Sequence, residues 1–420
     1  MKKNIAITPP MGWNSWDCYG ASVTEDIVRK NADYMAKNLK DFGWEYVVVD
    51  IQWSEPTADS HQYHPFTELN MDEYSRLIPA PNRFPSSADG KGFKPLADYV
   101  HGLGLKFGIH IMRGIPRQAV HNNTKLLGTD KTARQIADLD SICHWNTDMY
   151  GVDPEKEGAK EYYESIFKLY ASWDVDFIKI DDIANHYPKK EVEMVKNALD
   201  SCGRDMVLSL SPGPAKLEEA EHLKQFANMW RITDDFWDQW KPLYEMFERA
   251  EKWCIHSGPG HWPDADMLPL GALRLDYPDN NQTQFTEDEQ YTMMTLWAIM
   301  RSPMIMGGDM VYNDDFTLSL MTNKGILEML KKARNSRPVF RKKIDGREIV
   351  LWTAFRDGGG KYMAVFNLSD EAATFSIDLS ETEIDERDLT ELWSNKVWEV
   401  NGDYIEISLN PHGALGFICK

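Results

Sequence analysis

The stretch Val47-Val-Val-Asp-Ile-Gln-Trp53 runs three β-branched residues into a carboxylate, an aliphatic residue and a tryptophan. A continuous apolar run of that length predicts a parallel strand covered on both faces, and its polar end predicts the mouth of a site. The same grammar repeats along the chain. Strands are expected over Ile5–Trp16 (its end), Tyr46–Trp53, Lys106–Met112, Phe177–Asp181, Met206–Ser211, Met229–Thr233, Asp264–Leu268 and Met304–Gly308. Helical patterns separate them, among them Glu25–Leu39, Lys156–Ser172, Trp240–Trp253 and Phe316–Arg334. Eight strands alternating with eight helices predict a (β/α)8 TIM barrel, an α/β fold. A doubly wound open sheet is the other fold with this alternation, but no G-x-G-x-x-G or G-x-x-x-x-G-K-[ST] follows any strand.

The texture changes near residue 335. "REIVLWTAF", "KYMAVFNLS", "ATFSIDL", "DYIEISL" and "ALGFICK" are strand-like runs with no helical pattern between them. Turn segments such as Asp357-Gly-Gly-Gly360 and Asn401-Gly-Asp403 join them. A C-terminal antiparallel β-sandwich is expected, giving a barrel over 1–334 and an all-β domain over 335–420.

Composition narrows the partners. The 420 residues carry a formal net charge of −20, which disfavours nucleic acid and anionic membranes. The five cysteines, Cys18, Cys143, Cys202, Cys254 and Cys419, are scattered without a C-x-x-C pair, as expected for free thiols in a reducing compartment. The N-terminus MKKNIAITPPMGWNSW lacks an apolar h-region, and no apolar run approaches a membrane span. A cytoplasmic location is expected. Fifteen tryptophans supply both large core residues and flat faces for stacking on sugar rings.

Barrel chemistry sits at the C-terminal strand ends. Those ends read Trp13-Asn-Ser-Trp16-Asp17, Asp50-Ile51-Gln52-Trp53, His110 with Arg113, Lys179-Ile-Asp181-Asp182, Ser209-Leu-Ser211-Pro-Gly213, Arg231-Ile-Thr-Asp234-Asp235, His261-Trp-Pro-Asp264-Ala-Asp266, and Gly307-Gly-Asp309. A lone Asp beside Gly or Pro is usually a loop cap. Carboxylates on so many successive ends instead suit glycoside hydrolysis, which needs two carboxyl groups flanking an anomeric carbon. Asp181 is the candidate nucleophile, because Lys179 projects to the same side of its strand and holds it ionised. An ion pair that is purely structural is the plain alternative for Lys179. Asp235 is the candidate acid/base, since one member of a crowded acid pair can keep its proton. An N-cap role for one of Asp234 and Asp235 is the alternative there. No H-E-x-x-H or EF-hand loop is present, so neither metal nor cofactor is expected.

These motifs resemble glycoside hydrolase family 27, which includes α-galactosidases, α-N-acetylgalactosaminidases and β-L-arabinopyranosidases. The resemblance runs from about Thr8 to the end and is carried by "PPMGWNSW", "VVVDIQW", "KFGIHI", "DFIKIDD", "WRITDDF", "GPGHWPDADML" and "LWAIMRSPMIMGGD". It implies a (β/α)8 barrel followed by an antiparallel β domain, and a retaining exo-glycosidase. It places the nucleophile on Asp181, a substrate-binding lysine on Lys179, the acid/base on Asp235, a contact to the sugar 2-position on Arg231, and the stacking tryptophan on Trp16.

The departures bear on the sugar. Where galactosidases read D-D-C-W and use both acids on the 4- and 6-hydroxyls, this chain has Asp50-Ile51-Gln52-Trp53. Losing a carboxylate costs a charge-assisted hydrogen bond, about 1.5–3 kcal/mol. β-L-Arabinopyranose, which is α-D-galactopyranose without C6, avoids that cost. Ile51 either packs where the hydroxymethyl group would sit or packs sideways in the barrel wall. Ser211 stands where galactosidases often have Glu and N-acetylgalactosaminidases have Ser, which keeps α-N-acetylgalactosaminidase as an alternative; α-galactosidase of the same family is the other. His110 replaces a usual Tyr, either as a core histidine or as a sugar contact, and Ile183 stands where many relatives carry a disulfide cysteine. The expected substrate is a small glycoside with a terminal galacto-configured pyranose, and a homo-oligomer is possible in principle. Two remoter readings are a Schiff-base aldolase using Lys179, disfavoured by Asp181 beside it, and a non-catalytic sugar-binding relative, disfavoured by the presence of both acids.

Overall fold

The computed structural model describes residues 5–420. Eight parallel strands form the barrel: β1 Met11–Asn14, β2 Tyr46–Val49, β3 Lys106–Met112, β4 Phe177–Asp181, β5 Val207–Leu210, β6 Met229–Arg231, β7 Trp262–Asp264 and β8 Met304–Met306. They lie in the order β7-β6-β5-β4-β3-β2-β1-β8. Leu268, just beyond β7, closes the ring: its N–H donates to the Ile305 carbonyl (2.8 Å), and its own carbonyl accepts from Gly307 (2.9 Å). The main helices between strands are α1 Glu25–Asn38, α2 Lys94–Gly102, α3 Ala159–Ser172, α4 Lys189–Ser201, α5 Ala220–Phe226, α6 Trp240–Trp253 and α7 Glu287–Met300, and α8 Asp315–Thr322 follows β8.

The two-residue period of a strand sorts the barrel. In β4, Ile178 and Ile180 join the outer core beneath the helices, while Phe177 joins an inner cluster with Tyr46, Val48, Val207, Met229, Trp262 and Ile305. The same period then sends Lys179 and Asp181 inward above Phe177. β2 behaves alike, with Val47 and Val49 outward and Tyr46 and Val48 inward, so Asp50 continues the inward row. Gly12 lets β1 and β2 approach, because a Cβ there would lie 2.4 Å from the Tyr46 carbonyl oxygen. Register aligns the polar row: His110 pairs with Lys179, Met112 with Asp181, and Lys179 with Ser209.

After Lys324–Lys332 the chain is antiparallel β. One sheet takes in Ala333–Ile344, Arg347–Arg356, Lys361–Asn367, Ala414–Cys419, Leu389–Glu391 and Val397–Trp398, and a second pairs Ala373–Asp378 with Tyr404–Leu409. Alternation again decides the packing. Ile349, Leu351, Met363, Val365 and Phe417 meet Phe375, Ile377, Ile405 and Ile407 of the second sheet, whereas Val350, Trp352, Ala364 and Phe366 face the barrel helices. Phe366 meets Phe247 of α6 edge-on, with centroids 4.9 Å apart.

Three differences from the sequence expectation have local causes. The helix expected over Phe316–Arg334 is two helices, because Asn323 caps a new one by accepting from the Ile326 N–H (2.9 Å). A small antiparallel sheet of Ile115–Pro116, Ala137–Ile142 and Met149–Val152 is inserted after β3, where no strand is expected. Its middle strand, Met149–Val152, is short and the outer one, Ala137–Ile142, has no buried residue, so it carries little apolar pattern. The seventh strand lies two residues earlier than expected and contributes Leu268 only as an isolated bridge.

Candidate active site

A cavity of about 310 Å³ opens at the C-terminal ends of the barrel strands. Trp16, Asp50, Lys179, Asp181 and Asp235 line it, together with Tyr63, Trp145 and Met267. On its β2–β4 side every charge is matched. The Lys179 ammonium donates to Asp50 Oδ2 (3.0 Å), and Asn14 Nδ2 donates to the same oxygen (2.7 Å). Asp181 Oδ2 lies 3.0 Å from His110 Nε2, while its Oδ1 accepts from the Ser211 hydroxyl (3.0 Å) and the Asp182 N–H (3.1 Å). Burial alone would push the Asp181 carboxyl up. The His110 hydrogen bond, the Lys179 charge and the Ser211 hydroxyl reverse that and hold it well below the ordinary carboxylate range. Asp50 is lowered as well: burial is opposed by Lys179, then by His110. Lys179 is raised, since its carboxylate neighbours Asp50 and Asp181 outweigh the cost of burial.

The β6–β7 side is arranged differently. Arg231, 3% exposed, reaches Asp266 Oδ2 (2.7 Å) and Asp235 Oδ1 (3.2 Å) with the same Nη2. Asp266 is buried and also accepts from the Phe236 N–H (2.8 Å). Burial, with Asp235 and Asp264 nearby, pushes its carboxyl up to about 7 despite Arg231. Asp264 and Asp17 are raised too, in each case mainly by burial. Gly307 makes room for Asp17, because a Cβ there would fall 1.9 Å from Asp17 Oδ2. Asp235 itself is 57% exposed on its side chain.

Of the residues predicted from sequence, five line the cavity; His110, Ser211 and Arg231 stand behind it and bond to lining groups. Ile51 is 2% exposed and does not line the cavity. It packs in an apolar cluster with Ala21, Met112, Cys143 and Met149, against which Trp16, Tyr63 and Trp145 lean. Trp16 and Tyr63 stack with centroids 5.7 Å apart at 18°. Strand-end polarity overreads two positions. Arg113 turns away to bind Asp182 (2.9 Å) and Glu191 (3.0 Å), and Asp309 is bonded by the Tyr19 hydroxyl. Asp234 lines the cavity beside Asp235 and caps no helix: its Oδ1 accepts from the Asp235 N–H (3.0 Å), and α6 begins after Gln239. Tyr63 and Trp145 were not anticipated, because loops bring them to the cavity and their sequence spacing carries no signal. The one cluster with metal-ligand spacing among the described residues, Asp98, His101 and Asp174, has no member in the cavity lining. No helix among those residues is long and apolar enough to cross a membrane, and all five cysteines are free.

The chain matches the alpha galactosidase A family over residues 8–156 and 154–331, and the alpha galactosidase C-terminal β-sandwich domain over 346–418. Alpha-galactosidase 3 of Arabidopsis thaliana is 27% identical over 431 residues, covering 98% of this chain and 82% of that protein. A family 27 β-L-arabinopyranosidase from Geobacillus stearothermophilus, solved in complex with arabinose, is 55% identical with a TM-score of 0.95, covering 99% of this chain and 98% of that one. A protein from Bacillus halodurans C-125, provisionally assigned as an α-N-acetylgalactosaminidase, is 54% identical with a TM-score of 0.88, covering 100% and 98%. With its barrel and its β domain both matched in order, the chain belongs to glycoside hydrolase family 27 and is a glycosidase.

Proposed function

We propose that the protein is a retaining exo-glycosidase that releases terminal β-L-arabinopyranose, with a catalytic barrel over 1–334 and a β domain over 335–420. The observation that carries the mechanism is one cavity lined by two carboxyls in opposite surroundings: Asp181 fully hydrogen-bonded and held ionised, Asp235 exposed beside Arg231. Asp181 attacks the anomeric carbon while Asp235 protonates the departing oxygen. Asp235 then takes a proton from water, which displaces Asp181 from the sugar. Lys179 and Asp50 hold ring hydroxyls through their unshared donors and lone pairs, and Trp16 supplies an apolar face.

The sugar assignment rests on the 55% identity to the Geobacillus stearothermophilus arabinopyranosidase, supported by an isoleucine at position 51 in place of a second carboxylate. Ile51 is buried behind the cavity with Met112 and Met149, so the end of β2 brings Asp50 to the sugar but no second carboxylate for a 6-hydroxyl. The N-acetylgalactosaminidase reading draws on the Bacillus halodurans relative and on Ser211, but the Ser211 hydroxyl is already committed to Asp181. A side-by-side assay on p-nitrophenyl β-L-arabinopyranoside, α-D-galactopyranoside and N-acetyl-α-D-galactosaminide tests the sugar. Proton NMR of the first-formed anomer tests retention. Preference for the N-acetyl sugar, or an inverted first product, overturns the corresponding part.

A further inference from the structure

A second cavity, about 610 Å³, adjoins the first and shares two of its walls, Trp16 and Asp235. Asp50, Lys179 and Asp181 line only the first. The partition sorts the substrate. The nucleophile's side holds the sugar whose C1 is attacked, and the leaving group must depart past the residue that protonates it. We propose that the second cavity is the leaving-group subsite and that it takes a neutral pyranose, an inference that rests on the acid/base role given to Asp235.

The construction follows from the loop after β6. Phe236 is buried and its N–H is tied to Asp266, so its neighbours Asp235 and Trp237 fall on the opposite side of the chain, together at the cavity. Tyr277, 40% exposed, and His61 continue the aromatic surface, with His61 lying 5.5 Å from the Tyr277 ring and 6.3 Å from that of Trp237. Such faces match the C–H face of a pyranose, and the exposed amides of Gln239 and Gln284 at the rim suit its hydroxyls.

Charge excludes an acidic sugar. Arg274 is the one arginine or lysine lining this cavity, and its charge is already paired with Asp238. Both Nη atoms bind Asp238 at 2.8 Å, and Nε donates to the Asn280 carbonyl (3.0 Å). Asp235 and Asp279 leave the surface acidic. A uronate would meet repulsion and no free cation.

The test compares two substrates with the same reactive sugar: a β-L-arabinopyranosyl disaccharide with a neutral second pyranose, and β-L-arabinopyranosyl fluoride, whose leaving group is too small to reach Trp237. If the three-way assay favours another sugar, the matching pair is used. Trp237→Ala is expected to lower kcat/KM for the disaccharide at least tenfold more than for the fluoride, and Trp237→Phe to recover most of that ratio. Tyr277→Ala, at an exposed position, should move the ratio the same way with the fold intact. A disaccharide ending in a uronic acid should be cleaved at least tenfold less efficiently than the neutral one. Equal losses on both substrates in both variants, or equal cleavage of neutral and acidic disaccharides, would overturn the subsite. Failure of the wild type to hydrolyse any fluoride would instead overturn the parent assignment of the two acids.

Discussion

The two sides of the active-site cavity use the same residue type to opposite ends. Around β4, Asp181 sits among Lys179, His110 and Ser211, and each oxygen has a partner. Around β6 and β7, Asp266, Asp264, Asp17 and Asp235 share Arg231 and the more distant Lys179, and the buried members are pushed towards their neutral forms. Burial acts on both sides alike. What differs is the ratio of cations and donors to acids, so the lesson is that partner count, more than depth, decides which carboxyl is ionised.

The most severe way to break this contrast is Asp181→Asn, which keeps the shape and removes the charge. Turnover should fall by about 10⁴-fold, measured on any glycoside the wild type cleaves. Asp235→Ala should behave differently. Activity on glycosides with poor leaving groups should drop by roughly 10²–10⁴-fold, and glycosides with strongly activated leaving groups should be much less affected. Equal losses across leaving groups would mean that Asp235 is not the acid.

Ile51→Asp sharpens the contrast by adding an acid to the β2–β4 side. The ratio of α-galactosidase to β-L-arabinopyranosidase activity should rise roughly 10- to 100-fold, the worth of one charge-assisted hydrogen bond. The variant should also melt earlier, because it buries a carboxylate among Met112, Cys143 and Met149. The ratio compares two substrates on one preparation, so reduced stability does not disturb it.

The smallest expected effect is the pH dependence of Asp266→Asn. In the native state this carboxyl sits near 7, above its ordinary value of 3.8, so the folded protein binds more protons than the unfolded one between those limits. Stability from this group is therefore greatest at low pH and is lost as pH rises from about 4 to 7. The difference in Tm, variant minus wild type, should become more favourable to Asn across that window, whatever its starting offset. A flat difference would remove Asp266 from the proton-holding side.

Much of this was legible from a single chain. Eight strands, their polar ends and the shift to β structure follow from residue periodicity, which is local. So does the shared inward direction of Lys179 and Asp181. Pattern failed where a side chain's direction depends on distant partners. Arg113 stands at a strand end yet turns to Asp182 and Glu191, and Tyr63 and Trp145 reach the cavity from loops with no period to read. Asp266 was visible as one more acid, but its shared arginine was not.

The sequence by itself determined the order of strands and helices and the row of acids, because each is written in near neighbours along the chain; the isoleucine at position 51 stands out only through the resemblance to family 27. Only the tertiary structure decided which acids keep their charge, that Ser211 and His110 serve Asp181, and that Asp235 joins two cavities. Those depend on register around a closed barrel, which brings residues more than a hundred positions apart within hydrogen-bonding distance, as Lys179 and Asp50 are at 3.0 Å.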